Sequence, residues 1–151
     1  MSLKRYAIIG TGARGYHSYF RRLTEDFQGQ LEVVGLYDIN VKRAQTVVRL
    51  ANADTPVYNS YDELLAKAKP DALIVTTPDA THADYIVKGL KAGLDVFSEK
   101  PLCTTFEQVQ AIRKAAAAPG AGCCRVTHNL RFLPNSRAMK QAIADGVIGK
   151  I

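Results

Sequence analysis

The sequence is poor in several things, and each scarcity removes a class of protein. Tryptophan is absent, and cysteine occurs three times in 151 residues, at Cys103, Cys123 and Cys124, with no Cys-x-x-Cys spacing. Such an odd set is no framework for a disulfide-stapled secreted domain, and it offers no metal-ligand spacing; no metal is expected. Free thiols acting as small apolar residues in a reducing, cytoplasmic compartment are expected instead, with the adjacent pair in a buried strand. No apolar stretch approaches the ~18 residues of a membrane span. The run Tyr6–Ile9 after Lys4-Arg5 is too short for the apolar part of a signal peptide, so neither export nor membrane is expected. Glycine (11) and proline (6) follow no period and form no low-complexity segment.

Clustered charge of one sign is missing too. The 20 Lys and Arg outnumber the 14 Asp and Glu, but the excess is spread. Residues 1–49 carry eight basic and four acidic groups, 50–100 five and eight, and 101–151 seven and two. No basic run exceeds two residues, and no zinc-finger, RNA-binding or basic-zipper pattern occurs. Nucleic acid is therefore not an expected partner; a mildly positive surface suits a small anion equally well. What remains, at 47% hydrophobic and 23% charged, is the composition of one soluble domain with a real core.

Short apolar runs alternate with segments of helical period. Tyr6–Ile9, Leu31–Tyr37, Val57–Tyr58, Ala72–Thr76, Val96–Ser98 and Cys123–His128 read as strands, nearly continuous in apolar character and so covered on both faces. Between them, Asn40 caps a helix bearing Ala44, Val47, Val48 and Ala51 on one face. Ser60-Tyr61-Asp62-Glu63 is a capping box before Leu64, Leu65 and Ala68, stopped at Lys69-Pro70. Thr81-His82-Ala83-Asp84 is a looser box before Ile86, Val87 and Leu90, closed by Gly93. Thr104-Thr105-Phe106-Glu107 opens a further helix with Val109, Ile112 and Ala116 inward. Strict β-α alternation implies an α/β fold: a Rossmann-type, doubly wound parallel sheet in three αβα layers, with ligands at the carboxyl ends of the strands. Tyr6, Tyr37 and Phe97 lie inside strands and read as core.

The segment after the first strand is Gly10-Thr11-Gly12-Ala13-Arg14-Gly15, a G-x-G-x-x-G opening a helix. The first glycine permits the tight turn, the second lets a pyrophosphate approach the backbone, and the third lets helix and strand pack closely. Asp38 closes the second strand 23 positions beyond Gly15. A carboxylate there can accept hydrogen bonds from the adenosine ribose and repel a 2′-phosphate, so NAD is preferred over NADP. Arg14 is a candidate phosphate contact, and Arg43 keeps NADP use open. The alternative for Asp38 is a turn residue before Asn40.

Two further segments follow strands: Thr76-Thr77-Pro78-Asp79-Ala80-Thr81-His82 and Ser98-Glu99-Lys100-Pro101-Leu102. With the opening GTGARG and with Asn129-Leu130-Arg131-Phe132, they resemble the glucose-fructose oxidoreductase/inositol dehydrogenase (Gfo/Idh/MocA) family, densely from residue 4 to 151. The resemblance implies a nicotinamide-dependent oxidoreductase acting on a sugar, inositol or related polyol. It places the family's Glu-Lys-Pro lysine at Lys100, as the catalytic residue reaching the nicotinamide and the reacting hydroxyl. A lysine desolvated beside an oxidised nicotinamide should lose basicity, which suits it to polarise or deprotonate an alcohol. The resemblance also places His82 beside the cofactor, Thr76, Thr77 and Pro78 on the ribose and nicotinamide side, and Glu99 and Asn129 at the same end. His17, expected on the surface, and His128 have no motif support.

The chain is short for that family. Residues 1–133 read as the dinucleotide domain, and 134–151 as a linking helix (135–145, ended by Gly146) and the first step into an absent C-terminal α/β domain. The expectation is a fragment, with a non-native start left open for residues 1–3, that binds cofactor, does not turn over alone, and belongs to a parent forming homo-oligomers through the missing part. A non-catalytic nucleotide sensor on the same fold is the alternative.

Overall fold

The computed structural model describes residues 2–150. Six strands form one sheet: β1 (Lys4–Ile9), β2 (Leu31–Tyr37), β3 (Val57–Tyr58), β4 (Ala72–Val75), β5 (Asp95–Glu99) and β6 (Cys124–Thr127). Their spatial order is β3-β2-β1-β4-β5-β6, and every pairing is parallel. Parallel neighbours need crossovers, and five helical segments supply them. A π-helical stretch Gly15–Phe20 runs into α1 (Arg21–Glu25), followed by α2 (Val41–Leu50), α3 (Tyr61–Ala68), α4 (His82–Lys91) and α5 (Phe106–Ala116); α6 (Pro134–Ala144) follows the last strand. The chain reverses winding direction between β1 and β4, and there a crevice opens at the carboxyl ends.

Alternation along the strands sorts the core into layers. Ala7, Ile9 and Leu73 pack with Leu64 of α3, and Val75 packs with Ile86, Leu90, Ile112 and Ala115 of α4 and α5. Ile8 and Ile74 point the other way, against Phe20, Leu36 and the Ala44 and Val47 of α2. The buried face of α5 is Ile112 and Ala115, one residue off the expected Ala116, which is exposed.

Local signals also shift by one residue in places. Ser60 accepts from the Glu63 amide as expected, but the Glu63 carboxylate reaches the Asn59 amide instead of returning to Ser60. The box opening α5 is Thr105 with Gln108, one position beyond the expected Thr104 with Glu107: the extended backbone of Thr105 lets its hydroxyl accept from the third helical amide. Thr81 is no side-chain cap: it ends a short 3-10 turn, and its hydroxyl donates to Pro78 O, with Thr77 Oγ1 at 2.9 Å as its other hydrogen-bond partner. Cys123 is exposed and Cys124 half-buried, because β6 is an edge strand covered on fewer sides than expected. No residue of α6 is buried, and residues up to Lys150 add no further strand; Ile151 lies outside the described residues.

Candidate functional site

The glycine-rich turn is built by close contact. Gly10 has φ +90°, and a Cβ there would meet the Thr76 and Thr77 backbone at 2.9 Å; a Cβ on Gly15 would lie 2.3 Å from Gly10 O. Gly12 differs: a Cβ there would meet nothing within 4 Å. Its open side faces the crevice, as a backbone reserved for a close-lying ligand would. Thr76 locks the turn from β4, its hydroxyl donating to Gly10 O at 2.7 Å.

Two cavities run along the carboxyl ends of the strands. One, about 370 Å³, is lined by the glycine turn, Tyr37, Asp38, Ile39, Arg43, Pro78 and Tyr85. The other, about 920 Å³, is lined by His82, Glu99, Lys100, His128, Asn129 and Arg131. Arg14, Thr76 and Thr77 belong to both walls, so the two form one groove across the switch point. Twelve of the fourteen site residues named from sequence line this groove; of the other two, Gly15 stands behind the turn and Thr11 is buried against Asp38.

Asp38 is not the bare carboxylate expected. Its side chain is 1% exposed. Oδ2 accepts from Thr11 N and Thr11 Oγ1, both at 2.7 Å, and from Arg43 Nε at 3.0 Å; Oδ1 accepts from Asn40 N at 2.8 Å and Arg43 Nη2 at 2.7 Å. Five donors fill the roughly four lone-pair positions of a carboxylate. Burial pushes the Asp38 carboxyl up, but the hydrogen bonds from Arg43, Thr11 and Asn40 outweigh it and hold the group below the ordinary range.

Arg14 likewise has a protein partner where a phosphate was expected. Its Nε and Nη2 each lie 2.8 Å from Glu99 Oε1. The same oxygen accepts from Tyr19 OH at 2.6 Å and Thr127 Oγ1 at 3.0 Å, while Oε2 accepts from the Lys100 amide at 3.2 Å. In an α-helix, residues five apart point about 140° apart; the wider turn of the π-helical stretch brings Arg14 and Tyr19 to one carboxylate. Burial raises the Glu99 carboxyl, and these donors bring it below its ordinary value. Burial, then the Glu99 bond, pushes the Tyr19 phenol up to about 12.

His82 is 1% exposed, with Nδ1 2.7 Å from Pro101 O and Nε2 2.8 Å from Thr77 O. It joins the loop after β4 to the loop after β5 through these two carbonyls. Lys100 is exposed at the end of β5, its side chain on the larger cavity, and the Lys100–Pro101 peptide is cis.

Sequence reasoning missed several groove residues. Tyr37, read as core, lines the smaller cavity with Tyr85, and the two rings lie 6.3 Å apart. Ile39, 89% exposed directly after Asp38, was legible as a large apolar residue with no core to enter. His128 and Arg131 reach the larger cavity only because β6 ends beside β5.

A glycine turn with an open second position, at the switch point of a parallel sheet and beneath a continuous groove, defines a dinucleotide-binding domain. The chain belongs to the oxidoreductase family with an NAD-binding Rossmann fold (GFO_IDH_MocA), which it matches over residues 4–128. It is 36% identical over 149 residues to an inositol 2-dehydrogenase of Klebsiella pneumoniae subsp. pneumoniae, covering 99% of this chain and 43% of that enzyme. The crystal structure of myo-inositol dehydrogenase from Lactobacillus casei, in complex with NAD(H) and myo-inositol, superposes with a TM-score of 0.86 at 30% identity, over 98% of this chain and 43% of that one. The WlbA dehydrogenase of Bordetella pertussis, in complex with NADH and UDP-GlcNAcA, gives 0.83 at 26% identity, over 96% and 43%. The chain thus spans about two fifths of the length of these relatives. Among the described residues, no helix is long and apolar enough to cross a membrane.

Proposed function

We propose that this chain is the cofactor-binding part of an oxidoreductase that moves a hydride between a nicotinamide dinucleotide and a CH–OH group of a sugar, inositol or related polyol. The observation carrying this reading is the single groove whose two cavities share Arg14, Thr76 and Thr77. The smaller cavity takes the adenosine, between Tyr37, Ile39 and Pro78. The pyrophosphate crosses the open face of Gly12 at the helix start, and the nicotinamide lies in the larger cavity beside Thr77 and Lys100. NAD is the preferred cofactor and NADP is accepted. When bound, the nicotinamide supplies or receives the hydride.

Lys100 would touch the reacting hydroxyl and polarise it, and Asn129 would hydrogen-bond nearby. Glu99 serves by fixing the Lys100 amide, and His82 by holding the Thr77 and Pro101 carbonyls that wall the nicotinamide end. Residues 1–133 form the binding unit, and residues 134 onward lead toward the part of the relatives this chain lacks. That part would complete the substrate pocket and carry homo-oligomer contacts; hydride transfer needs a positioned substrate and excluded water, which one open groove supplies poorly. The three free thiols suit a cytoplasmic protein.

The test is titration of the 151-residue chain with NADH, followed by nicotinamide fluorescence. Saturable binding, competed by NAD, is expected, with no polyol-dependent NAD reduction by this chain alone. No saturable binding of either NADH or NADPH would remove the proposal.

A further inference from the structure

His82 opens α4 in the wall of the larger cavity, and both sides of its ring meet the same kind of group. The residue is 1% exposed, with Nδ1 2.7 Å from Pro101 O and Nε2 2.8 Å from Thr77 O. A backbone carbonyl only accepts, whereas a neutral imidazole has one donor nitrogen and one acceptor nitrogen. Neither neutral tautomer satisfies both contacts. Each leaves a nitrogen lone pair facing a carbonyl oxygen, and turning the ring over puts carbons against both. The imidazolium has an N–H on each nitrogen and donates to both carbonyls at once, through bonds that its charge strengthens. The start of a helix opposes a cation, but Asp79 in the 3-10 turn before α4 and Asp84 in its first turn offset that. The other charged groups on the elements around it are Glu99 and Lys100 at the end of β5 and Glu107 at the start of α5. Among the described residues, none of these bonds to the ring.

We propose that His82 is held as a doubly protonated imidazolium, a positioning residue that also sets a fixed positive charge in the wall of the nicotinamide end and so biases the groove toward the reduced dinucleotide. The proposal rests on the dinucleotide reading above and deepens it. A nicotinamide ring carries a positive charge when oxidised and none when reduced. A cation in the wall therefore weakens NAD and spares NADH, whereas the tie between the two loops serves both forms alike. Lys100, on the same cavity, is exposed and can carry its charge into solvent; His82 is buried, bonded at both nitrogens and screened less. The cavity of about 920 Å³ is roughly 10 Å across. Over about 10 Å, one unit charge weakens a like charge about twofold at the dielectric constant of water and about fifteenfold at the effective value of about 20 near a protein surface.

The first measurement is the protonation of the histidine ring nitrogens in the 151-residue chain without cofactor, by nitrogen-15 NMR at neutral pH. The chain has three histidines, His17, His82 and His128, and the ring signals that vanish in His82→Gln belong to His82. Both of its nitrogens should carry a proton; one bare nitrogen overturns the proposal. The second measurement is the dissociation constant of NADH and of NAD for the unaltered chain and for His82→Gln. Glutamine is neutral and keeps an amide donor for one carbonyl. Losing the tie weakens both cofactors alike, but losing the charge relieves NAD alone, so the preference for NADH should shrink about twofold to fifteenfold. A histidine with only a structural role leaves that ratio where it was, and an unchanged ratio, or one that moves further toward NADH, overturns the proposal. If His82→Gln fails to fold, His17→Gln and His128→Gln, both at exposed positions, assign the spectrum by elimination, and the ring protonation decides. Binding of neither cofactor by the unaltered chain would instead remove the dinucleotide reading itself, whatever the ring spectrum shows.

Discussion

Replacing each glycine of the Gly10–Gly15 turn by alanine, one at a time, should split one chemical change into two different failures. At Gly15 the added Cβ falls 2.3 Å from Gly10 O and 2.7 Å from Thr76 Oγ1, where real Cβ contacts stay beyond 3.0 Å. The nearer atom is backbone, and Thr76 is tied to the same carbonyl by its hydroxyl. Helix and strand must separate, which costs about 3 kcal/mol at the upper end of overpacking, or roughly 6–12 °C in a domain of this size. Gly10→Ala fails similarly, with a 2.9 Å contact to the Thr76 and Thr77 backbone compounded by φ +90°. Gly12→Ala meets nothing within 4 Å and needs no left-handed backbone, so its stability should stay within about 1 kcal/mol of the parent, on the stable side if anything. Its methyl instead stands where the pyrophosphate would lie, and NADH affinity should fall at least about tenfold, the cost of one blocked charge-assisted contact. Thermal unfolding and fluorescence titration of all three variants decide the matter. A Gly12→Ala domain that binds NADH as tightly as the parent would refute the assignment of the open face of Gly12 to the phosphates, whatever the other two do.

Two further outcomes follow from the buried carboxylates. Asp38 and Glu99 both lie below their ordinary pKa in the folded chain. Their stabilisation is therefore complete above the unfolded carboxylate range of about 4 and is lost as pH falls through the lower folded values. Unfolding midpoints measured from pH 7 downward should hold steady until that range and then drop, and a midpoint that rises on acidification would contradict the network. Tyr19→Phe removes the 2.6 Å hydroxyl donor to Glu99 and should cost about 1–3 kcal/mol by urea unfolding, while moving the acid transition to higher pH. A loss below about 0.5 kcal/mol would show that Arg14 and Thr127 satisfy the carboxylate without it.

Much of this site could be read along the chain because its signals are local. Gly10, Gly12 and Gly15 sit within one turn of their strand, and the capping of α2 by Asn40 and of α3 by Ser60 depends on residues three apart. The errors have the same local origin read too finely: Thr105 in place of Thr104 as the cap, and Ala115 in place of Ala116 as the buried residue of α5, are choices of one position that backbone angle and packing make. What could not be read concerns partners far away in sequence. Glu99, 85 positions on, lies against Arg14, and Thr11, 27 positions back, lies on an Asp38 oxygen, beside the nearer Arg43.

The sequence by itself determined the alternation of strands and helices, the parallel sheet that alternation requires, and the glycine turn at the end of its first strand. Periodicity, capping and glycine spacing are short-range properties, and they survive without coordinates. Tertiary structure alone decided which charges are free. A carboxylate or a guanidinium can serve a ligand only with hydrogen-bonding capacity that the protein has not used, and that remainder depends on contacts 27, 80 and 85 residues apart. Asp38 has none left and Glu99 keeps only part of Oε2, while Arg43 keeps an outer edge toward the groove and Lys100 stands exposed on the larger cavity.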